Sequence, residues 1–211
     1  MTVQTKTHIA LLVIDLQQNG YQSEHQRGIK LAGDYGKVVD DSVELIQLAR
    51  SLHIPIIFTQ EHHMDSLLDM GRELDGSEQV HCLQGDPTTR LADALMVGDS
   101  DIVVTKRRYS AFFGTDLEIL LKALKVDTLI LVGALSDVCV HYTFVDAHQH
   151  DYHVYVVEEC IIGSTKSAQD AALNAMRYLQ RGSVITSHKA AALMRAAGEL
   201  AIETPKATSR A

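Results

Sequence analysis

Short apolar runs alternate with amphipathic segments along most of the chain. The two clearest runs, residues 9–14 and 128–132, are continuously apolar or β-branched and do not alternate in polarity. Such runs are typical of strands that are buried on both faces of a parallel sheet. Because parallel strands need a crossover connection, usually a helix, the pattern predicts a three-layer α/β/α domain, of the α/β class, around a six-stranded and mainly parallel sheet.

The same pattern places the individual elements. The predicted strands are residues 9–14, 54–59, 102–105, 128–132, 153–157 and 183–186. The predicted helices are residues 34–53, 88–97 and 114–125, one that begins near Cys139, and residues 167–179 and 189–201. We expect residues 1–202 to form a single domain, since no break in composition divides them. Residues 203–211 are polar and contain a proline, which favours a flexible tail.

Charge and cysteine content narrow the classes of partner. The chain has 211 residues and a formal net charge of −8, which disfavours non-specific binding to nucleic acid or to an anionic membrane surface. Its three cysteines have neither disulfide-like nor zinc-type spacing, so we expect reduced thiols and a cytoplasmic protein. The apolar runs are too short to cross a bilayer, and the N-terminus lacks an apolar signal region. A small molecule is therefore the expected partner.

Three reactive side chains follow three of the predicted strands. Asp15 follows the first strand, Lys106 the third, and Cys139 falls in the first turn of the helix after the fourth. The carboxyl ends of parallel strands share one edge of the sheet, where open α/β sheets bind ligands. There, the helix N-terminus and the ammonium group would favour a thiolate, and the carboxylate would accept the thiol proton. The alternative is a buried hydrophobic cysteine with an unrelated surface lysine and a polar strand terminator.

The residues around these three side chains resemble a known family. The first motif is Val13-Ile14-Asp15-Leu16-Gln17. The second is Val104-Thr105-Lys106 followed by Tyr109-Ser110-Ala111-Phe112-Phe113. The third is Val132-Gly133-Ala134-Leu135-Ser136-Asp137-Val138-Cys139-Val140. Over residues 9–186 the chain resembles the isochorismatase-like cysteine hydrolases, a superfamily with nicotinamidases, N-carbamoylsarcosine amidases and ureidoacrylate amidohydrolases, whose fold is a Rossmann-like α/β sheet.

This resemblance implies a catalytic set and a mechanism. Cys139 would be the nucleophile, Asp15 the general acid and base, and Lys106 their supporting cation. A thioester would form as ammonia or an amine leaves, and water would then hydrolyse it. The resemblance also implies a cis peptide bond between Ala134 and Leu135, with the N–H groups of Leu135 and Cys139 facing the oxyanion. Isochorismatases proper lack the cysteine, so its presence favours hydrolysis of an amide or ureido C–N bond.

Other polar and aromatic residues near the motifs are candidates for binding the substrate. These candidates are Gln17, Gln60, Tyr109, Phe112 and Phe113. The aromatic pair is as readily interpreted as part of the core. The long segment 60–86 is interpreted as a functional loop, and either this loop or a neighbouring subunit is expected to close the pocket.

The same segment holds a weak metal-binding signal. Nicotinamidases of the superfamily hold a metal through a carboxylate and histidines after the second strand. Glu61 and His63 resemble the first two positions, but Asp69 stands where the next histidine is expected. A set of Glu61, His63, Asp69 and His81 is conceivable. We expect no metal or other cofactor, because both the ligand type and the spacing must be right for such a site.

The sequence thus predicts a cysteine amidohydrolase that needs no cofactor and acts on a small amide or N-carbamoyl compound. The alternatives are a nicotinamidase with an atypical metal site, an isochorismatase-type hydrolase, and a non-catalytic binding subunit that kept the fold. The resemblance further implies a homodimer or homotetramer. No Gly-x-Gly-x-x-Gly motif follows a predicted strand, which argues against a dinucleotide.

Overall fold

Six strands form one sheet in the computed structural model, which describes residues 8–202. The strands are β1 (Ile9–Ile14), β2 (Ile56–Glu61), β3 (Ile102–Lys106), β4 (Thr128–Ala134), β5 (His153–Ile162) and β6 (Val184–Ile185). Every pair of neighbours in the described sheet is parallel, and the spatial order is β3-β2-β1-β4-β5-β6. The predicted α/β class is confirmed. The predicted tail, residues 203–211, lies outside the described residues.

Helices pack on both faces of this sheet. They are α1 (Glu24–Arg27), α2 (Tyr35–Ser51), α3 (Leu117–Ala123), α4 (Cys139–Gln149), α5 (Lys166–Leu179) and α6 (Ser187–Ile202). One core lies between the sheet and α2 and α6, and a second lies between the opposite face and α3, α4 and α5. Leu11 and Val13 of β1 enter the first core, while Ala10, Leu12 and Ile14 enter the second. Burial on both faces explains why this run is continuously apolar. None of the helices within residues 8–202 has the length and apolar character that a bilayer crossing requires.

The strand order reverses between β1 and β4. From β1 the chain proceeds outward through β2 to β3, and from β4 it proceeds in the other direction through β5 to β6. Ligands of open α/β sheets bind outside the carboxyl ends of the strands at such a reversal. Asp15 follows β1 directly and α4 follows β4, so both flank this point.

One predicted helix is wrong. Residues 88–97 form two separate 3₁₀ turns, Pro87–Thr89 and Asp93–Leu95, and not one helix. Between them the chain pairs with the segment after β1: the N–H of Gln18 donates to the Arg90 carbonyl, and the N–H of Ala92 donates to the Leu16 carbonyl. These hydrogen bonds use backbone groups that a continuous helix would need, so tertiary pairing overrides the local preference.

The second strand lies further along the chain than predicted, and this displacement matters for the site. The prediction covered residues 54–59, whereas β2 runs from Ile56 to Glu61. The end of β2 is fixed by its partner, because Gln60 pairs with Thr105 and Glu61 pairs with Lys106 on β3. Glu61 is therefore a strand residue held beside Lys106 and not a loop residue.

We predict that Gly133→Ala will strongly destabilise the protein. Gly133 of β4 has φ of +128°, and a Cβ there would lie 2.0 Å from the Ile14 carbonyl oxygen. Because that neighbour is backbone of the central strand, the clash cannot be relieved by a rotamer change. We expect a loss of about 3 kcal/mol or more in the free energy of unfolding, measured by urea denaturation.

Gly98→Ala is the matched control. A Cβ at Gly98 meets no heavy atom within 4 Å. We expect it to change the free energy of unfolding by less than about 0.5 kcal/mol. Equal free energies of unfolding for the two variants would contradict the close approach of Gly133 in β4 to Ile14 in β1.

Candidate active site

Asp15, Lys106 and Cys139 converge at the carboxyl edge of the sheet. Asp15 follows β1, Lys106 ends β3, and Cys139 opens α4. The Nζ atom of Lys106 lies 2.8 Å from Oδ2 of Asp15 and 3.4 Å from Sγ of Cys139. The Lys106 side chain is fully buried, and Cys139 is only 5% exposed. The lysine is therefore an internal cation that contacts both the carboxylate and the thiol, and not a solvated surface residue.

Asp15 is held by a second partner and is suited to take up a proton. The Thr59 hydroxyl on β2 donates to Oδ1 of Asp15 over 2.7 Å. Burial raises the pKa of Asp15, the Lys106 ammonium opposes this rise, and the Glu61 carboxylate adds to it. A carboxylate with a raised pKa is a stronger base than an exposed aspartate.

The surroundings of Cys139 disfavour a resting thiolate, although its position at the helix N-terminus favours one. Burial raises the pKa of Cys139 well above its ordinary value; Lys106 opposes this rise, and the carboxylates of Asp15 and Glu61 reinforce it. Two carboxylates and desolvation thus outweigh one ammonium group and the helix N-terminus. The thiol keeps its proton until a neighbouring base removes it.

This electrostatic balance predicts the pH dependence of alkylation. A thiol with a raised pKa is protonated at neutral pH, so the thiolate fraction increases as the pH rises toward that pKa. We expect the rate of Cys139 modification by iodoacetamide to increase about tenfold per pH unit between about pH 7 and pH 9. Peptide mapping separates Cys139 from Cys82 and Cys160. A rate that is constant over this range would mean that the thiolate is already formed at neutral pH.

Glu61 connects this group to two buried histidines. Its Oε2 atom lies 3.2 Å from Nζ of Lys106 and 3.7 Å from Sγ of Cys139. Its Oε1 atom lies 3.0 Å from Nε2 of His63 and 2.9 Å from Nε2 of His81. Burial alone would raise the pKa of Glu61, but Lys106 and the two histidines hold it well below its ordinary range. Glu61 is therefore ionised and shared between two groups of side chains.

Three of the four residues in the metal set conceived from the sequence lie together in the structure. Glu61, His63 and His81 lie together, but the fourth member of the group is Glu73, with all ligand atoms within 4.8 Å of one another. Asp69 is not part of this group: Oδ1 accepts the Met64 N–H and lies 3.8 Å from Nδ1 of His63, and Oδ2 lies 3.1 Å from Nε of Arg107.

The donor types in this cluster fit a divalent transition metal. Two imidazoles and two carboxylates are ligands that zinc accepts, and Oε1 of Glu73 is buried without a hydrogen-bond partner among residues 8–202. Burial lowers the pKa of His63, but Glu61 and Glu73 outweigh this and raise it to about 9. The two carboxylates thus require a positive charge nearby, which either protonated histidines or a metal cation would supply.

A cavity of about 510 Å³, its open mouth included, lies over the reactive group. Asp15, Glu61 and Cys139 line one part of it. Another part is apolar, with Leu135 and Val138 among its members. Its mixed polar and apolar lining suits a small organic molecule.

The predicted substrate-binding residues divide into two groups. Gln17 and Tyr109 line the cavity. The Gln17 amide is used within the protein, since it donates to the Glu61 carbonyl over 3.0 Å and accepts the Glu61 N–H over 2.9 Å. Gln17 therefore holds the segment after β1 against the end of β2.

The remaining three candidates lie away from the cavity. Gln60 donates to the Thr89 carbonyl over 3.2 Å. Phe112 packs against the second core and stacks on His150, with ring centroids 5.2 Å apart. Phe113 is 65% exposed. None of the three is among the cavity-lining residues within the described part of the chain, so their positions give no support to a role in binding.

The turn before Cys139 contains the cis peptide bond that the resemblance implied. The peptide bond between Ala134 and Leu135 is cis, and both residues line the cavity. The Leu135 carbonyl accepts the N–H groups of Val138 and Val140, which closes the turn onto α4. This arrangement places the start of α4 directly beside the cavity.

Sequence reasoning missed Glu73 and Glu78, and it considered Glu61 only as a weak metal ligand. A predicted second strand that extended to residue 61 would have placed Glu61 beside Lys106, its partner on β3. Glu73 and Glu78 lie in an irregular segment where no periodic pattern indicates which side chains point inward.

Comparisons with known proteins identify relatives of the sequence and the fold. A family model described as "Isochorismatase domain" matches residues 9–190. An uncharacterized isochorismatase family protein of Bacillus subtilis is 27% identical over 185 residues, covering 88% of this chain and 97% of that protein. Maleamate amidohydrolase of Pseudomonas putida is 32% identical over 158 residues, covering 72% of this chain and 71% of that enzyme. The solved structure of an isochorismatase family protein from Burkholderia thailandensis is 27% identical, with a TM-score of 0.75, and covers 89% of this chain and 96% of that chain.

Proposed function

The chain belongs to the isochorismatase family, and from this membership we propose that it is a cysteine amidohydrolase that cleaves a C–N bond of a small amide or N-carbamoyl compound. The observation that carries the proposal is the contact of Lys106 with both Asp15 and Cys139, at 2.8 Å and 3.4 Å, beside a cavity that Asp15 and Cys139 line. The name of the relative from Pseudomonas putida, maleamate amidohydrolase, supports amide hydrolysis as the reaction type.

In the first step the Cys139 sulfur attacks the substrate carbonyl carbon. Asp15 takes the thiol proton as the S–C bond forms, and the carbonyl electron pair moves onto oxygen. The N–H groups of Leu135 and Cys139 stabilise that oxyanion. Lys106 remains charged throughout and compensates the negative charge that develops around it.

The second step expels the nitrogen. Asp15 returns its proton to the nitrogen, the C–N bond breaks, and ammonia or an amine leaves a thioester on Cys139. Asp15 then removes a proton from water, which attacks the thioester, and the departing thiolate is reprotonated. The cycle therefore uses a single carboxyl group as both base and acid, which a raised pKa favours.

A second candidate is a nicotinamidase-type enzyme with a metal. The observation that favours it is the cluster of Glu61, His63, Glu73 and His81, which would hold the ion. A cation bound there would supply a Lewis acid beside the cavity. Elemental analysis showing one divalent ion per chain, together with loss of turnover on chelation, would favour this candidate.

An ammonia-release screen tests the proposal. The panel contains small aliphatic amides, ureido acids and nicotinamide, each assayed with the wild-type protein and with Cys139→Ala. We expect release from at least one compound by the wild type alone. No release from the entire panel would favour a non-catalytic binding subunit, and hydrolysis of a vinyl ether in a separate assay would favour an isochorismatase-type reaction.

The assembly and compartment are further parts of the proposal. We place the protein in the cytoplasm as a homodimer or homotetramer, on the basis of the family resemblance and the spacing of its cysteines. Light scattering of the purified protein tests the assembly, and a monomer would contradict it.

A further inference from the structure

The cations near the cavity are already paired. Among the described residues that line it are the carboxylates of Asp15, Glu61 and Glu78, but no lysine or arginine. Lys106 lies beneath and is engaged by Asp15, Glu61 and the Arg108 carbonyl at 2.8, 3.2 and 3.0 Å. His81 lines the cavity, with Nε2 at 2.9 Å from Glu61 and Nδ1 at 2.6 Å from the Gln79 carbonyl. An incoming carboxylate would find no unengaged cation there.

Glu78 differs from Asp15 and Glu61 in that it is not ion-paired with Lys106. Its Oε2 atom is buried and has no hydrogen-bond partner within residues 8–202. Glu78 also borders both the cavity and an adjoining outer depression, so it stands at the passage between them. A buried carboxylate oxygen without a donor is unfavourable, and a ligand that donates to it removes the penalty.

The outer depression, like the cavity, is lined by a buried carboxylate. It is lined by Glu73, which is only 5% exposed and has one carboxylate oxygen without a partner, while the other lies 3.3 Å from Nε2 of His63. Tyr109 and Tyr142 add two ring faces with centroids 5.6 Å apart. Aromatic faces beside carboxylates form a favourable environment for an ammonium group. The basic side chains at this rim, Lys30 and Arg72, belong to exposed residues.

We propose that Glu78 selects the substrate by charge, binding an ammonium group that the amide substrate carries away from its scissile bond and rejecting a carboxylate at that position. The inference rests on the proposed amidohydrolase activity and narrows its substrate class to cationic amides. It separates this chain from the maleamate amidohydrolase relative, whose named substrate is an acid.

Three amides of nearly equal size test this selection. 4-Aminobutanamide carries an ammonium group, pentanamide replaces it with a methyl group, and succinamate carries a carboxylate. The ratio of kcat/KM for 4-aminobutanamide over pentanamide is measured for the wild type and for Glu78→Gln. We expect the ratio to fall by at least about tenfold in the variant, and the ratio of succinamate over pentanamide to rise. Glu44→Gln removes the same charge from an exposed position on α2, and we expect it to leave both ratios unchanged.

A binding measurement separates failure of this inference from failure of the proposed function. Calorimetry of the three compounds with Cys139→Ala, alone and combined with Glu78→Gln, reports charge preference without turnover. Preferential binding of 4-aminobutanamide that disappears with Glu78→Gln supports the inference even if the wild type hydrolyses none of the amides. Equal binding of the ammonium and carboxylate compounds, or a preference that survives Glu78→Gln, overturns it.

Discussion

Replacing Cys139 with serine will reduce kcat/KM by about 10⁴-fold or more, with little loss of stability. Serine has nearly the same shape, but its hydroxyl is far less acidic than a thiol, and Asp15 is too weak a base to ionise it. The side chain sits at the first residue of α4 and is 5% exposed, so the variant should remain folded. Ammonia release and the urea midpoint are measured on the same preparation.

Cys160→Ala is the matched control for the thiol. Cys160 is buried in the first core, on the side of the sheet that packs against α2 and α6. We expect this variant to keep most of the wild-type activity. Activity of Cys139→Ser within tenfold of the wild type would exclude the sulfur as the nucleophile.

Asp15→Asn is expected to lower kcat by about 10³-fold while the affinity for substrate changes little. The amide cannot take the thiol proton or return it to the leaving nitrogen. Thr59→Val serves as the comparison, because it removes only the 2.7 Å hydrogen bond to Oδ1 of Asp15. We expect a decrease of about tenfold for this variant.

The two variants also distinguish proton transfer from mere positioning. If Asp15 acts as the base, the pH dependence of kcat should lose its acidic limb in Asp15→Asn and keep it in Thr59→Val. Equal decreases in the two variants, with the acidic limb retained in both, would contradict a proton-transfer role.

The grouping of Asp15, Lys106 and Cys139 could be predicted because each lies at the end of a strand, or just beyond a strand, whose composition is unambiguous. The run Ile9–Ile14 is buried on both faces, so the position of Asp15 at its carboxyl end follows from the pattern. Lys106 ends β3, and Cys139 opens the helix that follows β4. The rule that parallel strands end at one edge then brings the three together without knowledge of the loops.

Other features could not be predicted from the sequence, because they depend on contacts between distant segments of the chain. The end of β2 is set by its pairing with β3, so the sequence alone does not indicate that Glu61 is a strand residue beside Lys106. Residues 88–97 do not form the predicted helix, because their backbone forms hydrogen bonds with the segment after β1. Glu78 lies in an irregular region whose course is determined by tertiary contacts, and no local pattern indicates that its carboxylate reaches the cavity.

The acidic surroundings of the Cys139 thiol bear on how it loses its proton. Burial and the carboxylates of Asp15 and Glu61 keep Cys139 protonated at rest. In the proposed mechanism, attack on the substrate therefore depends on simultaneous proton transfer to Asp15, and not on a preformed thiolate. The fully buried Lys106 holds both partners of that transfer within reach.

The mass of the protein quenched in acid during turnover is the most direct measurement. With a substrate identified by the ammonia-release screen, we predict that the peptide containing Cys139 gains the mass of the acyl or carbamoyl group. Hydroxylamine should remove this group, and Cys139→Ala should never acquire it. Steady turnover by the wild type with the Cys139 peptide always unmodified, and an equal rate in Cys139→Ala, would contradict the thioester mechanism.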